Sequence, residues 1–369
     1  MTMKTTDIEK ASAFYLAEIR RLLPQPVRFM EVCGTHTVSI FRAGIRQLLP
    51  ESVDLVSGPG CPVCVTEDLY MDQAIAYAGR EDVILATFGD MLKVPGSSSS
   101  LSEARAAGAD IRIVYSPLDS LAIARQNPQK KVIFLAVGFE TTAPTAAAVV
   151  LQAEAEQIGN FFVLSAHKLV PPALQALLTD PEVHVDGFIL PGHVCVVSGL
   201  SPFAFLPERY HLPAVVCGFE GIDILQTVWM LAKQKAAGKA LLENAYARVV
   251  KEAGNPVARS LVRQVYETAD ACWRGIGLIP DSGLKVRKEY ERFDAGICMP
   301  LGLQPAKKKT ACRCGEVLRG VIKPPDCPLF GRGCTPEHAV GACMVSVEGS
   351  CAAWYKYGSG RYQYGNGAN

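Results

Sequence analysis

The chain has no apolar run approaching the ~18 residues of a membrane-spanning helix. It has no charge excess either: 37 Lys and Arg stand against 36 Asp and Glu. That balance offers no basic field for nucleic acid or an anionic membrane surface. The triplet Lys307-Lys308-Lys309 lacks interleaved aromatics and reads as a solvated linker. No GxxxxGK[ST] occurs, and the glycine-rich turns do not match GxGxxG after the first strand, so nucleotide binding has no motif behind it. Asp7, Glu9 and Lys10 precede any long apolar run, which leaves no room for the apolar core of a secretory signal. A cytoplasmic location is expected. Disulfides seldom act as staples there, yet the chain carries thirteen cysteines. Metal ligation or thiol chemistry explains them better.

With 369 residues the chain should hold two or three domains. Ile8, Ala11, Tyr15, Ile19, Leu22 and Leu23 recur at helical spacing, and Pro24 and Pro26 stop that helix. Short apolar runs then alternate with helix-like segments: VRFMEV, VDLVS, VILATF and IRIVY, then KVIFLAV, FFVLS, GFILP and AVVCG. Strands separated by helices predict parallel sheets. We read two similar α/β domains, residues 27–127 and 128–220. The remainder, 1–26 and 221–369, is expected to be helical up to about Ala269, without clear period beyond Gly275, and rich in Cys, Gly and Pro from Gly296 to Tyr357. So little apolar sequence there cannot organise a core by itself. After Tyr357 a polar tail is expected.

The chemistry gathers after the strands, where open parallel sheets bind ligands. VRFMEV leads into Cys33-Gly34-Thr35-His36. VDLVS leads into Gly58-Pro59-Gly60-Cys61-Pro62-Val63-Cys64, whose CxxC spacing suits a redox dithiol, half a metal site or two buried thiols. If a helix opens at Thr66, Cys61 lies near its N-terminus, where thiolate is favoured. VILATF ends at Gly89-Asp90, expected on the same edge of the first domain as the two preceding loops. The second series ends at Gly138-Phe139-Glu140-Thr141-Thr142 and Pro191-Gly192-His193. If the domains face each other, Cys33, His36, Cys61, Cys64, Asp90, Glu140, Thr141 and His193 line one cleft. Cys33 is a metal ligand with His36 as its proton acceptor, or a buried small hydrophobe. Asp90 and Glu140 serve equally well as first-turn acids of helices, and His193 as a loop histidine satisfied by backbone. Cys312, Cys314, Cys327, Cys334, Cys343 and Cys351 crowd the C-terminal part. Four thiolates there would suit a [4Fe–4S] cluster or a zinc ion.

Taken together, Cys33-Gly34-Thr35-His36, Gly58-Pro59-Gly60-Cys61-Pro62-Val63-Cys64, Thr87-Phe88-Gly89-Asp90, Val94-Pro95-Gly96, Gly138-Phe139-Glu140-Thr141-Thr142, Pro191-Gly192-His193-Val194 and Cys314-Gly315-Glu316-Val317 resemble the HypD family of [NiFe]-hydrogenase maturation proteins, over nearly the whole chain. The resemblance implies two Rossmann-like domains plus an iron–sulfur domain. It implies a redox-active scaffold, rather than a conventional turnover enzyme, on which an Fe(CN)2CO unit is assembled with a HypC-type chaperone and a HypE-type cyanide donor. Cys33 would bind the transient iron jointly with a HypC cysteine, supported by His36. Cys61 and Cys64 would form the dithiol/disulfide pair. Cys314, Cys327, Cys334 and Cys351 would hold the [4Fe–4S] cluster, with Cys312 as an alternative first ligand and Cys343 as an extra. The chain departs from the family pattern at Thr37, where many relatives place Glu, and at Glu67, near which Pro is expected. Two other classes use part of the same residues: an iron–sulfur thiol–disulfide reductase, which has no need of Cys33, and a zinc-stabilised interaction protein.

Overall fold

The computed structural model describes residues 5–306 and 310–358. The predicted linker at 307–309 and the tail beyond Gly358 lie outside the described residues. The N-terminal helix spans Thr5–Leu22 and buries Ile19 against Ile224, Leu225 and Val228 of the helix Gly221–Ala236. All eight predicted strands are present: β1 (Val27–Glu31), β2 (Val53–Ser57), β3 (Val83–Thr87), β4 (Ile111–Ile113), β5 (Lys131–Gly138), β6 (Phe161–His167), β7 (Gly187–Pro191) and β8 (Ala214–Cys217). Their unbroken apolar character follows from helices covering both faces of each sheet; β3 and β7 are buried at every residue. Helix starts are set locally. Ser100 with Glu103 and Ser116 with Asp119 form reciprocal capping boxes that satisfy the first free amides.

The strands, with a ninth, β9 (Leu242–Asn244), form two parallel sheets, β2-β1-β7-β8-β9 and β4-β3-β5-β6. This corrects the division at residue 127, because neither sheet is sequential. After β2 the chain leaves the first sheet, builds the whole of the second, and returns to lay β7 beside β1. A long parallel crossover tolerates this, since nothing requires consecutive strands to pair. Asp90, which follows β3, therefore belongs to a different sheet from Cys33 and Cys61. The two sheets still share one core, in which Met30 and Val56 of the first meet Ile133 and Leu135 of the second.

Three strands escape the sequence reading. β9 (Leu242–Asn244) extends the first sheet inside the stretch read as helical, and β10 (Tyr266–Trp273) with β11 (Gly277–Val286) forms an antiparallel hairpin. In β10 Thr268 and Asp270 are exposed, while the part-buried positions between them hold Glu267, Ala269, Ala271 and Cys272 rather than large apolar residues, so no period-2 apolar signal survives. The hairpin docks on the second sheet, where Leu169 N–H donates to Ser282 O at 2.8 Å. The cysteine-rich lobe consists of short helices, Cys314–Leu318, Ala342–Val345 and Ser350–Tyr357, joined by turns. It is pinned to the first domain by Trp354, which packs edge-on against Phe41 at 5.1 Å.

Candidate functional site

Four neighbouring strands of the first sheet, in the order β2-β1-β7-β8, deliver four loops to one edge. Strand order reverses at β1, which pairs with β2 on one side and β7 on the other, the place where such sheets open a crevice. Cys33 ends the loop after β1 and precedes the helix Gly34–Arg42. Gly60, from the loop after β2, lies directly against it: its carbonyl accepts the Gly34 N–H at 2.9 Å, and a Cβ at Gly60 would stand 2.1 Å from Cys33 N. Only glycine permits that approach, so the Gly-Pro-Gly turn is what lets the two sulfur-bearing loops touch backbone to backbone.

Cys33 is buried, and burial pushes its thiol up to about 12, while the amides of His36 and Thr35 act the other way. At neutral pH the sulfur therefore keeps its proton. Beneath it lies Glu31, at the end of β1 and 1% exposed, whose Oε2 accepts the Cys33 N–H at 3.0 Å. Burial raises this carboxyl to about 7, partly offset by hydrogen bonds. Thr37, the first departure from the family pattern, donates its hydroxyl to Glu31 Oε1 and is part of this support. Thr35 Oγ1 donates to Glu348 Oε1 at 2.7 Å, which brings a carboxylate of the C-terminal lobe over the same helix start.

His36 is fully buried and its Nε2 donates to the Gly218 carbonyl at 2.9 Å. A carbonyl can only accept, so the proton sits on Nε2 and Nδ1 is left without a hydrogen-bond partner. Burial depresses the ring to about 4, so it is neutral near pH 7 and supplies a lone pair, not a cation. Phe219, from the loop after β8, stacks between His36 at 4.7 Å and His193 at 3.8 Å. His193 is thus held by ring stacking on an exposed turn, at the start of the helix Gly192–Ser198.

Cys61 and Cys64 form a disulfide with Cα atoms 5.3 Å apart. Cys61 caps its own single helical turn, Pro62–Val65, and the next helix opens later, at Asp68. This corrects the expectation of a helix from Thr66, and the turn is set by Pro62 at its first position. Cys64 is fully buried and its sulfur lies 3.9 Å from the Ala342 carbonyl of the cysteine-rich lobe. Ala342 precedes Cys343, whose sulfur is 3.0 Å from that of Cys314. Cys312, Cys314, Cys327, Cys334, Cys343 and Cys351 line one cavity with Val317, Phe330 and Met344. Sulfur contacts from Cys312 and Cys343 favour the thiolate of Cys314 strongly. Among the described residues no three side chains converge on a point suited to a single metal ion. A polynuclear cluster instead takes one thiolate per iron, so donors spread around an apolar-lined cavity fit it. The four cysteines expected as ligands line this cavity together, and Cys343 touches Cys314 and Cys351 among them.

Glu140 and Asp90 sit on the second sheet. Glu140 Oε1 accepts the Val170 N–H at 2.9 Å, which makes it the cap of a neighbouring helix, while Oε2 is buried without a partner. Cys195, buried after β7, feels both this carboxyl and Cys33. Thr141 is half-buried in the turn before the helix Ala143–Ala155, and Asp90 is exposed on a short turn, with no hydrogen bond or ion pair to the other candidates among the described residues. Burial raises the Glu140 carboxyl to about 7, above its unfolded value, so its contribution to stability is complete below about pH 4.5 and is lost as pH rises through about 7. Glu140→Gln keeps the Oε1 acceptor and removes that loss. We expect it to match the parent near pH 4.5 and exceed it by up to about 3 kcal/mol near pH 8, read from denaturant unfolding at both pH values. Equal stabilities at the higher pH would show that Glu140 is not held in this environment.

Glu31, Phe219 and Glu348 are absent from the sequence reading. Glu31 carried a signal, a charge at the end of a mostly apolar strand, and Phe219 stands in Gly218-Phe219-Glu220 after β8, which echoes Gly138-Phe139-Glu140 after β5. Glu348 carried none, because only folding brings the C-terminal lobe to Thr35. No helix among the described residues is long and apolar enough to cross a membrane.

Known proteins resemble this chain throughout its length. The HypD family model, described as the hydrogenase formation hypA family, matches residues 10–358. A hydrogenase maturation factor HypD of Rhodobacter capsulatus is 48% identical over 358 residues, covering 94% of this chain and 95% of that protein. The HypD proteins of Escherichia coli K12 and Azotobacter vinelandii are 47% and 46% identical, each over 90% of both chains. With a family model spanning the two sheets and the cysteine-rich lobe alike, this chain belongs to the HypD family.

Proposed function

We propose that this chain acts in hydrogenase maturation as the scaffold on which an Fe(CN)2CO unit is assembled. Iron is the cargo here, and Cys33 supplies one soft thiolate to it, a small HypC-type chaperone supplying a second from its own cysteine and a HypE-type protein delivering cyanide. Low-spin ferrous iron with cyanide and carbon monoxide favours sulfur anchors. The observation that carries this reading is the single edge at which Cys33, the Cys61–Cys64 pair and the cysteine-rich lobe meet. A buried thiol with its pKa near 12 is a poor free nucleophile and a good site for a cation that displaces its proton. His36 and Phe219 stack on each other beside the same loop, and Glu31 orients the Cys33 backbone.

The expected ligands of a resident [4Fe–4S] cluster are Cys314, Cys327, Cys334 and Cys351, and Cys312 and Cys343 share their cavity. When bound, such a cluster supplies electrons singly. Reducing the Cys61–Cys64 disulfide takes two electrons and two protons, and Cys64 is the member in contact with the lobe through Ala342. The dithiol so formed stands beside Gly60 and Cys33, where its electrons are available to the cargo site.

The test is to co-express the chain with a HypC-type partner, purify the pair anaerobically, and record infrared spectra together with iron and sulfide content. Cyanide and carbon monoxide bands, with about four further irons and four sulfides per chain, are expected. Sulfide-free protein without these bands would overturn the reading. Zinc in place of iron would support the zinc-stabilised interaction protein.

A further inference from the structure

Arg274 occupies the turn between β10 and β11. Its backbone N–H donates to Val65 O at 2.9 Å and its Nε to Thr66 O at 2.6 Å. Nη2 reaches Pro95 O at 3.2 Å, and Nη1 pairs with Asp68 Oδ1 at 2.6 Å. All three guanidinium nitrogens are in use and the side chain is 12% exposed. Val65 ends the helical turn that Cys61 opens, and Thr66 follows it. Arg274 thus ties down the carboxyl end of the segment that bears the dithiol. The adjacent Gly275, at φ +74, presses on the other partner: a Cβ there would meet Gly315 Cα at 2.4 Å, next to Cys314. One hairpin tip is fastened on one side to the CxxC turn and on the other to the cysteine-rich lobe.

Burial with hydrogen bonds to two carbonyls and an ion pair to a carboxylate is the setting in which an arginine fork fixes geometry, which a lysine cannot copy. The charges facing it are few. Asp68 is paired with it, and Glu67 and Lys168 act on each other nearby, with Lys168 Nζ also on Cys272 O at 2.6 Å.

We infer that Arg274 is a positioning residue that clamps the Cys61–Cys64 turn against the cysteine-rich lobe and sets a positive charge beside the negative charge that a thiolate-bound iron–sulfur centre carries. The clamp stands on the contacts alone; the charge effect rests on the function proposed above.

The test uses the full chain, purified anaerobically, with Arg274→Met and Arg274→Lys. After mild reduction, iodoacetamide labelling of Cys61 and Cys64, read by peptide mapping, should accelerate roughly tenfold in both variants, because local opening no longer breaks the fork. The midpoint potential of the cluster, followed by electron paramagnetic resonance, should fall in Arg274→Met: a roughly tenfold smaller reduced-to-oxidised ratio at fixed potential, about 59 mV for one electron. Arg274→Lys keeps the charge and should keep the parent potential. Parent labelling rates in both variants overturn the clamp, and an unchanged potential in Arg274→Met overturns the charge effect. If the parent chain binds no cluster, the proposed function fails, while the labelling still decides the clamp. Should Arg274→Met not fold, Arg274→Lys carries the labelling measurement.

Discussion

Cys33→Ala is expected to abolish loading of the iron–cyanide unit while leaving the fold, the dithiol and the cysteine-rich lobe intact. Cys33 contributes its sulfur to the edge but little to the core. It is 9% exposed, and a Cys-to-Ala change in a buried site removes one sulfur, costing on the order of 1 kcal/mol. The Glu31 bond runs to the Cys33 backbone N–H, which alanine retains. Circular dichroism and unfolding midpoints should therefore stay close to the parent, and the infrared bands of bound cyanide in the complex with the small partner should vanish. Normal bands in Cys33→Ala would remove this residue from its role. The same variant separates the competing reductase reading, which uses Cys61 and Cys64 but not Cys33: undiminished turnover of a protein disulfide by Cys33→Ala, with no requirement for the partner, would favour it.

Gly60→Ala should be among the most damaging single methyl additions in the molecule. The new Cβ would meet Cys33 N at 2.1 Å and Val32 C at 2.3 Å, both backbone atoms at the end of β1, which cannot swing aside as a flexible side chain would. The two loops must separate, which also breaks the bond from Gly34 N–H to Gly60 O. Overpacking costs about 1–3 kcal/mol and the lost hydrogen bond about 1 more, so in a chain of this length an unfolding midpoint lower by roughly 3–5 °C is expected. Gly159→Ala is the control. Its Cβ would meet nothing within 4 Å, and its midpoint should stay within about 2 °C of the parent. A parent-like midpoint for Gly60→Ala would mean that the loops after β1 and β2 do not touch.

Some of this was readable along the chain. Val83–Thr87 and Gly187–Pro191 are apolar at nearly every position, and only a strand covered on both faces needs that, so their type and place followed directly. Cys33, Cys61 and Cys64 stand just after such strands, where parallel sheets collect their ligands. The hairpin Tyr266–Val286 was not readable, because one face is wet and its apolar residues do not alternate cleanly. Nor was the partition of strands between sheets, since every parallel strand looks alike and local sequence is silent about its neighbour.

What the sequence by itself determined is most of the parallel strands and the chemical vocabulary: eight strands, sulfur and imidazole at their ends, and a cysteine-rich lobe too poor in apolar residues to stand alone. Pattern and composition act through nearest neighbours, and these features need nothing more. Only the tertiary structure decided that β7 returns beside β1, that Asp90 falls on the second sheet and His193 on the first, and that Glu348, Phe219 and Arg274 reach the sulfur-bearing loops. Those contacts join residues far apart in sequence, and their existence depends on how whole sheets and lobes bury their faces against one another.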